Sequence, residues 1–582
     1  MPNGSTLLDQ KFNKLNTIVG WLIFLFAVVV YYSTLEPTAS FWDCSENLSI
    51  YYKLEVGHPP GEPFLQLIQH LVSLLAFGDV HKAAPVMNHA ASTFSALAIL
   101  FLFWTTTFFG RKLMERSGEL TDGKIYAILG SGIIAATSFT FADSMWFSAV
   151  EASVWAMSIC FTSLMFWCST KWYRAEGSAA QRWIILIFFL IGLSIGVHLL
   201  CMLFIPAAVM LYFFKTYPDG VSKPWIKRLL SFITKDPKKQ GFIVAAFMAV
   251  VMVGTVKGVI IPGLINVATD FELFFVNVAG MPFNTGILIY GLITTGLILW
   301  GLNYTRKKNK PGWNTAILSF AVLIIGYCSF LLLVVRANAT TPMNEDNPSD
   351  PVSLHDYLGR KQYGDWPVLY GPYYTAPQIE PKDDGPAYEK DEKKGKYVKS
   401  YEIQSPQYAP QFCTFLPRMW DPNEGHPQGY KRWGGTDGYE KIPYTGQDGQ
   451  KEMLLKPSWF GNNMQYFVRY QLLFMYWRYF MWDFCGRQND IQGVDPYDNL
   501  HGNWITGIPF IDAMRSPQDN VPDELSKNKG RNPMYAIPFL LGLIGMFYHF
   551  KKDKTDAIVV LTLFFFTGMA ITLYLNQAPY QP

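Results

Sequence analysis

Along this chain, long apolar runs alternate with short polar links, and the rhythm breaks once, at a polar stretch between residues 337 and 531. Runs of roughly 17 to 25 mostly apolar residues can cross the hydrocarbon core of a bilayer as helices. Such runs, or slightly shorter ones, lie at 17–34, 86–109, 124–142, 146–170, 183–199, 201–214, 241–262, 285–303, 313–335, 533–549 and 556–576. The pattern predicts a mostly α, polytopic membrane protein with about 11 transmembrane helices. The two runs around His198 are short enough to be re-entrant or kinked. Within the polar stretch, YFVRYQLLFMYWRYFMWDF is apolar and aromatic but is interrupted by Arg469 and Arg478. An arginine at the bilayer centre costs about 3 kcal/mol or more, so this helix, near 466–484, is expected to lie flat at the interface.

Three parts follow. Residues 1–336 form a transmembrane bundle with an external loop at 35–85. Residues 337–531, rich in Tyr, Trp, Pro, Gly and Asn, form a mixed, loop-rich extracytoplasmic domain, and 532–582 carry the last two spans.

The placement of charge orients this arrangement. Lysines and arginines gather in alternate links: Lys11 and Lys14; Arg111, Lys112 and Arg116; Lys171, Arg174 and Arg182; the run from Lys223 to Lys239; Arg306 to Lys310; Lys551, Lys552 and Lys554. Six links agree with a cytoplasmic amino terminus and place 35–85, a turn at 143–147, a loop at 263–284 and the large domain outside. The first apolar run lacks a cleavage pattern and reads as a retained helix.

Composition adds little beyond this. Half the residues are hydrophobic and only 16% charged, against about 25% in soluble proteins. The 48 basic and 45 acidic residues leave a net charge of +3, no excess that points to nucleic acid. Of seven cysteines, four fall in apolar runs; Cys44, Cys413 and Cys485 fall outside the cytoplasm, where one disulfide among them is open. No Walker loop, HExxH or cysteine-based metal site is present, so no metal is assigned and the energy source is expected to be an activated substrate.

Candidate chemistry gathers on the outer side. The first external loop opens SFWDCSENL, with Asp43 and Glu46 three apart, on one face if helical. A general base that deprotonates an acceptor hydroxyl beside a lipid-borne donor needs such a carboxylate at headgroup level; a helix cap plus a surface carboxylate is the plainer alternative. The loop continues KLEVGHPPGEPF, whose Gly57 and Pro59-Pro60 hold His58 in a sharp turn. Glu151, in FADSMWFSAVEASVWAMS, is expected within two turns of the outer face, where intramembrane carboxylates are costly and usually functional, unless the charge simply reaches water. His198 in GLSIGVHLL reads equally as helix glue or as a catalytic group. Arg336, Arg478 and Arg487 are the best-placed guanidinium groups for a phosphate, or else structural ion pairs.

These strings, with PMNEDNP, KQYGDWPVLYGPYY and above all MYWRYFMWDFCGRQNDIQG, resemble a Bacteroidetes membrane-protein family of formerly unknown function related to the transmembrane protein O-mannosyltransferases of animals. The resemblance implies a glycosyltransferase of the GT-C superfamily, moving a sugar from a polyprenyl phosphate to Ser or Thr of exported proteins. It implies a bacterial inner membrane, with the large domain periplasmic. Asp43 is then the base; Glu46, Glu151 and His198 fall in motif positions; and Arg478, Arg487 and Asn489 belong to the external signature. The donor is a substrate rather than a cofactor, and any divalent ion is left open. Ser45, Ser153, Asn344 and Cys201 depart from the pattern. Those losses, and a chain that stops soon after its last span, raise an alternative: a catalytically degenerate subunit of an export or folding complex, or a chain completed by a second polypeptide. A transporter is disfavoured, because the ionisable residues crowd one face.

Overall fold

The computed structural model describes residues 7–361, 364, 366–446 and 449–580. Met1–Thr6, the Gln362, Tyr363 and Asp365 of the KQYGDWPVLYGPYY string, Gln447, Asp448 and the final two residues, Gln581 and Pro582, lie outside that description.

Every one of the eleven apolar runs is helical. Eight described helices are long and apolar enough to cross a membrane: α1 (Leu7–Ser33), α4 (Val80–Glu115), α8 (Gly177–Ile195), the stretch Leu199–Thr216 that ends in α9 (Ile205–Thr216), α10 (Pro237–Val278), α11 (Thr285–Lys307), α12 (Pro311–Ala337) and α16 (Lys554–Leu575). A ninth arises if α5 (Asp122–Thr140) and α6 (Asp143–Ala149), bent by 68°, are one broken span. Two expected spans fall short of this measure. The run at 146–170 breaks at Val150–Ser153, and α7 (Val154–Arg174), which follows it, carries Lys171 and Arg174 and is enriched in Ser, Thr and Cys. The run at 533–549 becomes α15 (Ile537–Lys552), whose 16 residues reach about 24 Å, less than the ~30 Å core.

The expected loop at 263–284 is largely helix instead. α10 runs unbroken through wide π turns to Val278, and its 42 residues would span about 63 Å, roughly twice the core thickness. Two of the polar residues in this stretch, Glu272 and Asn277, have partners that hold it as helix. Glu272, fully buried, accepts backbone N–H bonds from Asn284 and Ile287 and so caps α11. The Asn277 amide exchanges two 2.9 Å bonds with the backbone of Tyr397, in the domain at 337–531 that is external on the orientation expected from the basic links.

Two apolar cores hold the bundle. One joins α1, α4, α5 and α6; the other joins α7, α8, α9 and α12 to two short helices of the first external loop, α2 (Cys44–Lys53) and α3 (Pro63–Ser73). α8 and α12 touch backbone to backbone: a Cβ on Gly192 would lie 2.2 Å from the Leu323 carbonyl oxygen, and one on Gly326 2.5 Å from the Leu193 nitrogen.

The external domain is built from antiparallel pairs: β1 (Tyr370–Pro372) with β4 (Cys413–Phe415), β2 (Gln378–Asp391) with β3 (Lys396–Tyr408), β5 (Glu440–Thr445) with β6 (Lys451–Lys456), and β7 (Gly486–Arg487) with β8 (Asn532–Pro533). α13 (Pro351–Leu358) connects it to the bundle. The aromatic run is helical as expected, winding in wide turns from Trp459 and ending in α14 (Arg478–Phe484).

The segment after α16 returns into this domain. Asn576 is fully buried; its side chain accepts from Gln471 (3.0 Å) and donates to the carbonyls of Pro367 and Pro417 (2.6 and 2.8 Å). Ala578 joins the tyrosine-rich core of Tyr373, Tyr430, Tyr466 and Tyr470.

Candidate functional site

The first-loop residues assemble around α2. Asp43 stands just ahead of its first turn and is exposed, with no hydrogen bond or ion pair on its carboxylate among the described residues. Three residues on, Glu46 faces the turn between α2 and α3, where its Oε1 accepts both the backbone N–H and the Nδ1–H of His58, each at 2.9 Å. That pairing leaves Nε2 as the outward ring nitrogen.

Glycine makes this contact available. A Cβ on Gly57 would lie 2.8 Å from the Glu46 oxygen, and Gly61, at φ +68°, leaves room for the Tyr357 hydroxyl, 2.8 Å from where its Cβ would be. Tyr357, buried on α13, donates to the Gly57 carbonyl at 2.7 Å and so pins the turn from above. Beside it the PMNEDNP string pairs with the KLEVGHPPGE string: Val56 bonds Met343, and Glu345 bonds Val56, both at 3.1 Å.

Sequence reasoning missed a further acid here. Glu62 begins α3, is buried, and its Oε1 accepts the Tyr51 hydroxyl at 3.2 Å. Burial pushes its carboxyl up to about 7, with His58 and Tyr51 opposing and the Glu46 and Asp43 charges adding. For His58, burial pulls the ring down, but the Glu46 hydrogen bond and the charges of Glu46, Glu62 and Asp43 outweigh it and raise the pKa. Glu345 is raised by burial and by Glu46. The legible signal was HPPGE itself, with an acid four residues past the histidine in one turn.

Glu151 lies behind α2, in the break between α6 and α7. It is 4% exposed and its Oε2 has no hydrogen-bond partner. Asn88 of α4 locks this break to the first loop by donating to the Glu36 and Thr38 carbonyls and accepting from the Ala152 N–H. His198, in the link between α8 and α9, accepts from the Leu200 N–H at 3.2 Å and packs on the Trp155 ring at 5.2 Å. Two residues before it, the Gly196 carbonyl accepts the first N–H groups of α3. Asp43, Glu46, His58, Glu62, Glu151 and His198 thus share one end of the bundle.

The arginines do not join them as free groups. Arg336 donates to the Leu54 and Lys53 carbonyls at the C-terminus of α2, a favourable place for a cation. Arg478 is 1% exposed, donates to the Phe474 and Gly502 carbonyls and stacks on Phe474, with its guanidinium 3.8 Å from the ring centroid. Arg487 covers Trp482 and donates to the Asn489 carbonyl; the Asn489 side chain ties Leu500, Ile491 and Gly502 together. This second knot fixes the external domain to α6, where the Ser144 N–H bonds Asp483 at 2.8 Å. All seven cysteines are free, and among the described residues no group of three metal-ligating side chains could hold an ion.

Fold and site together define a polytopic membrane protein that carries an acidic, histidine-containing site at one end of its helical bundle. Residues 43–220 match the family model of the "Protein O-mannosyl-transferase TMEM260 N-terminal domain", and residues 364–468 match a family of unknown function. The chain is 21% identical over 155 residues to "Protein O-mannosyl-transferase tmem260" of Dictyostelium discoideum, covering 26% of this chain and 16% of that protein. It is 26% identical over 160 residues to "Protein O-mannosyl-transferase TMEM260" of Mus musculus, covering 27% and 20%. The chain thus matches a fifth or less of the length of these relatives. No solved structure matches. The chain is related, through this segment, to the transmembrane protein O-mannosyltransferases, and all six residues of the site lie inside it.

Proposed function

We propose that this protein is a membrane glycosyltransferase that moves one sugar from a polyprenyl phosphate to a Ser or Thr hydroxyl of an exported protein. The observation that carries the reading is the convergence of Asp43, Glu46, His58 and Glu62 at one end of the bundle, inside the segment that matches the O-mannosyltransferase model.

Asp43 takes the hydroxyl proton as the acceptor oxygen attacks the anomeric carbon, and the lipid phosphate leaves with inversion. Glu46 orients His58 and keeps its ring protonated over a wider pH range than a free imidazole. His58, whose ring feels the Asp43 charge, is then a cation suited to the developing charge on the departing phosphate. Arg336, one layer behind, holds α2 and with it Asp43, while Arg478, Arg487 and Asn489 hold the domain that covers the site. The basic links support an orientation with this end away from the cytoplasm, and the family resemblance supports a bacterial inner membrane with this end in the periplasm.

The test is mass spectrometry of exported glycoproteins from cells lacking the gene, restored with wild type or with Asp43→Asn. One sugar lost on deletion and rescued by wild type alone supports catalysis with Asp43 as base. An unchanged glycan profile, with a partner retained through mild detergent purification, supports the degenerate-subunit reading instead.

A further inference from the structure

Away from the site, α14, α15 and α16 enclose a slot of about 710 Å³ whose walls are almost wholly apolar and aromatic, among them Trp477, Phe480, Phe539 and Phe564. α15 contributes no buried residue to the fold. Gly542 and Gly545, three apart on its slot-facing side, have nothing within 4 Å of where a Cβ would stand. Toward the basic end of the bundle the slot reaches His549, whose Nε2 is buried and has no hydrogen-bond partner.

The charges around that end are unevenly spent. Asp553 faces Arg116 at 2.6 Å and Asp556 faces Lys112 at 2.6 Å, so both acids of the link between α15 and α16 are neutralised from α4. Lys551, Lys552 and Lys554 of the same link are exposed and make no ion pair among the described residues. An apolar slot that reaches an unpartnered imidazole nitrogen, followed within five residues along the chain by these three exposed lysines, matches a molecule with a hydrocarbon body and an anionic head.

We propose that this slot is a binding site for an anionic phospholipid, with one chain along α15, the glycerol-ester oxygens at His549 and the phosphate at Lys551, Lys552 and Lys554. Size favours a lipid over another helix. A sixteen-residue helix with its side chains fills roughly 1,900 Å³, well over twice the slot, whereas the slot lies within the ~300–1,000 Å³ range of small-molecule pockets and would hold one acyl chain with the head outside. The charge argument favours an anionic head over a zwitterionic one.

The test is native mass spectrometry of the full chain, delipidated in detergent and then titrated with dioleoyl phosphatidylglycerol or dioleoyl phosphatidylcholine. One phosphatidylglycerol is expected to bind at least ten-fold more tightly than phosphatidylcholine. The preference should vanish in Lys551→Gln/Lys552→Gln/Lys554→Gln, and binding of either lipid should fall in Gly545→Phe, whose ring fills the slot. Equal affinity for the two lipids, or unchanged binding in Gly545→Phe, overturns the proposal. So does photocrosslinking in membranes from Met546, which lines the slot, if it captures a second protein and no lipid.

Discussion

At the scale of single residues, Glu62 is the group whose protonation the structure ties most directly to stability. Its buried carboxyl is held at about 7, against about 4.3 for an unperturbed glutamate. Between those values the folded chain keeps a proton that the unfolded chain has released, so this group makes stability fall as pH rises. Well above pH 7 the loss approaches about 4 kcal/mol. His58 acts in the same direction, since its raised pKa stabilises below about 6.5 and that contribution fades as pH climbs through the folded value. Glu62→Gln is therefore expected to raise the melting temperature of the detergent-solubilised chain at pH 8 and to leave it nearly unchanged at pH 4.5. Scanning fluorimetry at both pH values checks this, and an equal shift at the two would remove Glu62 from the explanation. Asp43, Glu46, His58, Glu151 and His198 were all legible in the sequence, because an acid or a histidine at the edge of an apolar run has few other reasons to be there. Glu62 was marked only by its place four residues past His58, because the burial that raises its pKa comes from the fold, and Tyr357 was not marked at all, since it reaches Gly57 across three hundred residues.

At the scale of elements, hydrophobic periodicity located each helix but did not reveal how helices meet or where they stop. The backbone contact between α8 and α12 depends on two glycines in unremarkable apolar text. Gly326→Leu must push the helices apart, because its new Cβ would meet the Leu193 and Gly192 backbones. A cost of about 2 kcal/mol or more is expected, at the upper end for overpacking because backbone cannot yield as a side chain does. Thermal unfolding and expression yield read the effect, and a leucine accepted without loss would mean that the two helices separate freely. Helix α10 shows the opposite failure of legibility. Its outer half is amphipathic rather than apolar, so a membrane-length rule ends it early, although Glu272 and Asn277 have partners that make helix the better conformation. The arginines illustrate the same limit: charge and position suggested phosphate binding, but carbonyl groups brought by the fold occupy Arg336, Arg478 and Arg487.

At the scale of the whole molecule, the two ends of the bundle differ in chemistry, acids and His58 at one and lysines and arginines at the other. Single cysteines placed at Lys235 and at Asp437 in a chain cleared of its seven native thiols are expected to react from opposite sides of the membrane with an impermeant maleimide. Labelling of both from one side would undo the orientation read from the basic links. The position of Asn576 carries a consequence for how the protein is made. On the orientation that the basic links support, residues 337–531 leave the ribosome and cross the membrane before residues 576–580 exist, yet the tyrosine core they form is closed by Asn576 and Ala578. The domain therefore waits, incompletely packed, until α16 has been inserted, and its resistance to protease reports that step. A nascent chain arrested before Asn576 should be cut within this domain by a protease added to its side, while a chain in which residues 576–580 have cleared the ribosome resists.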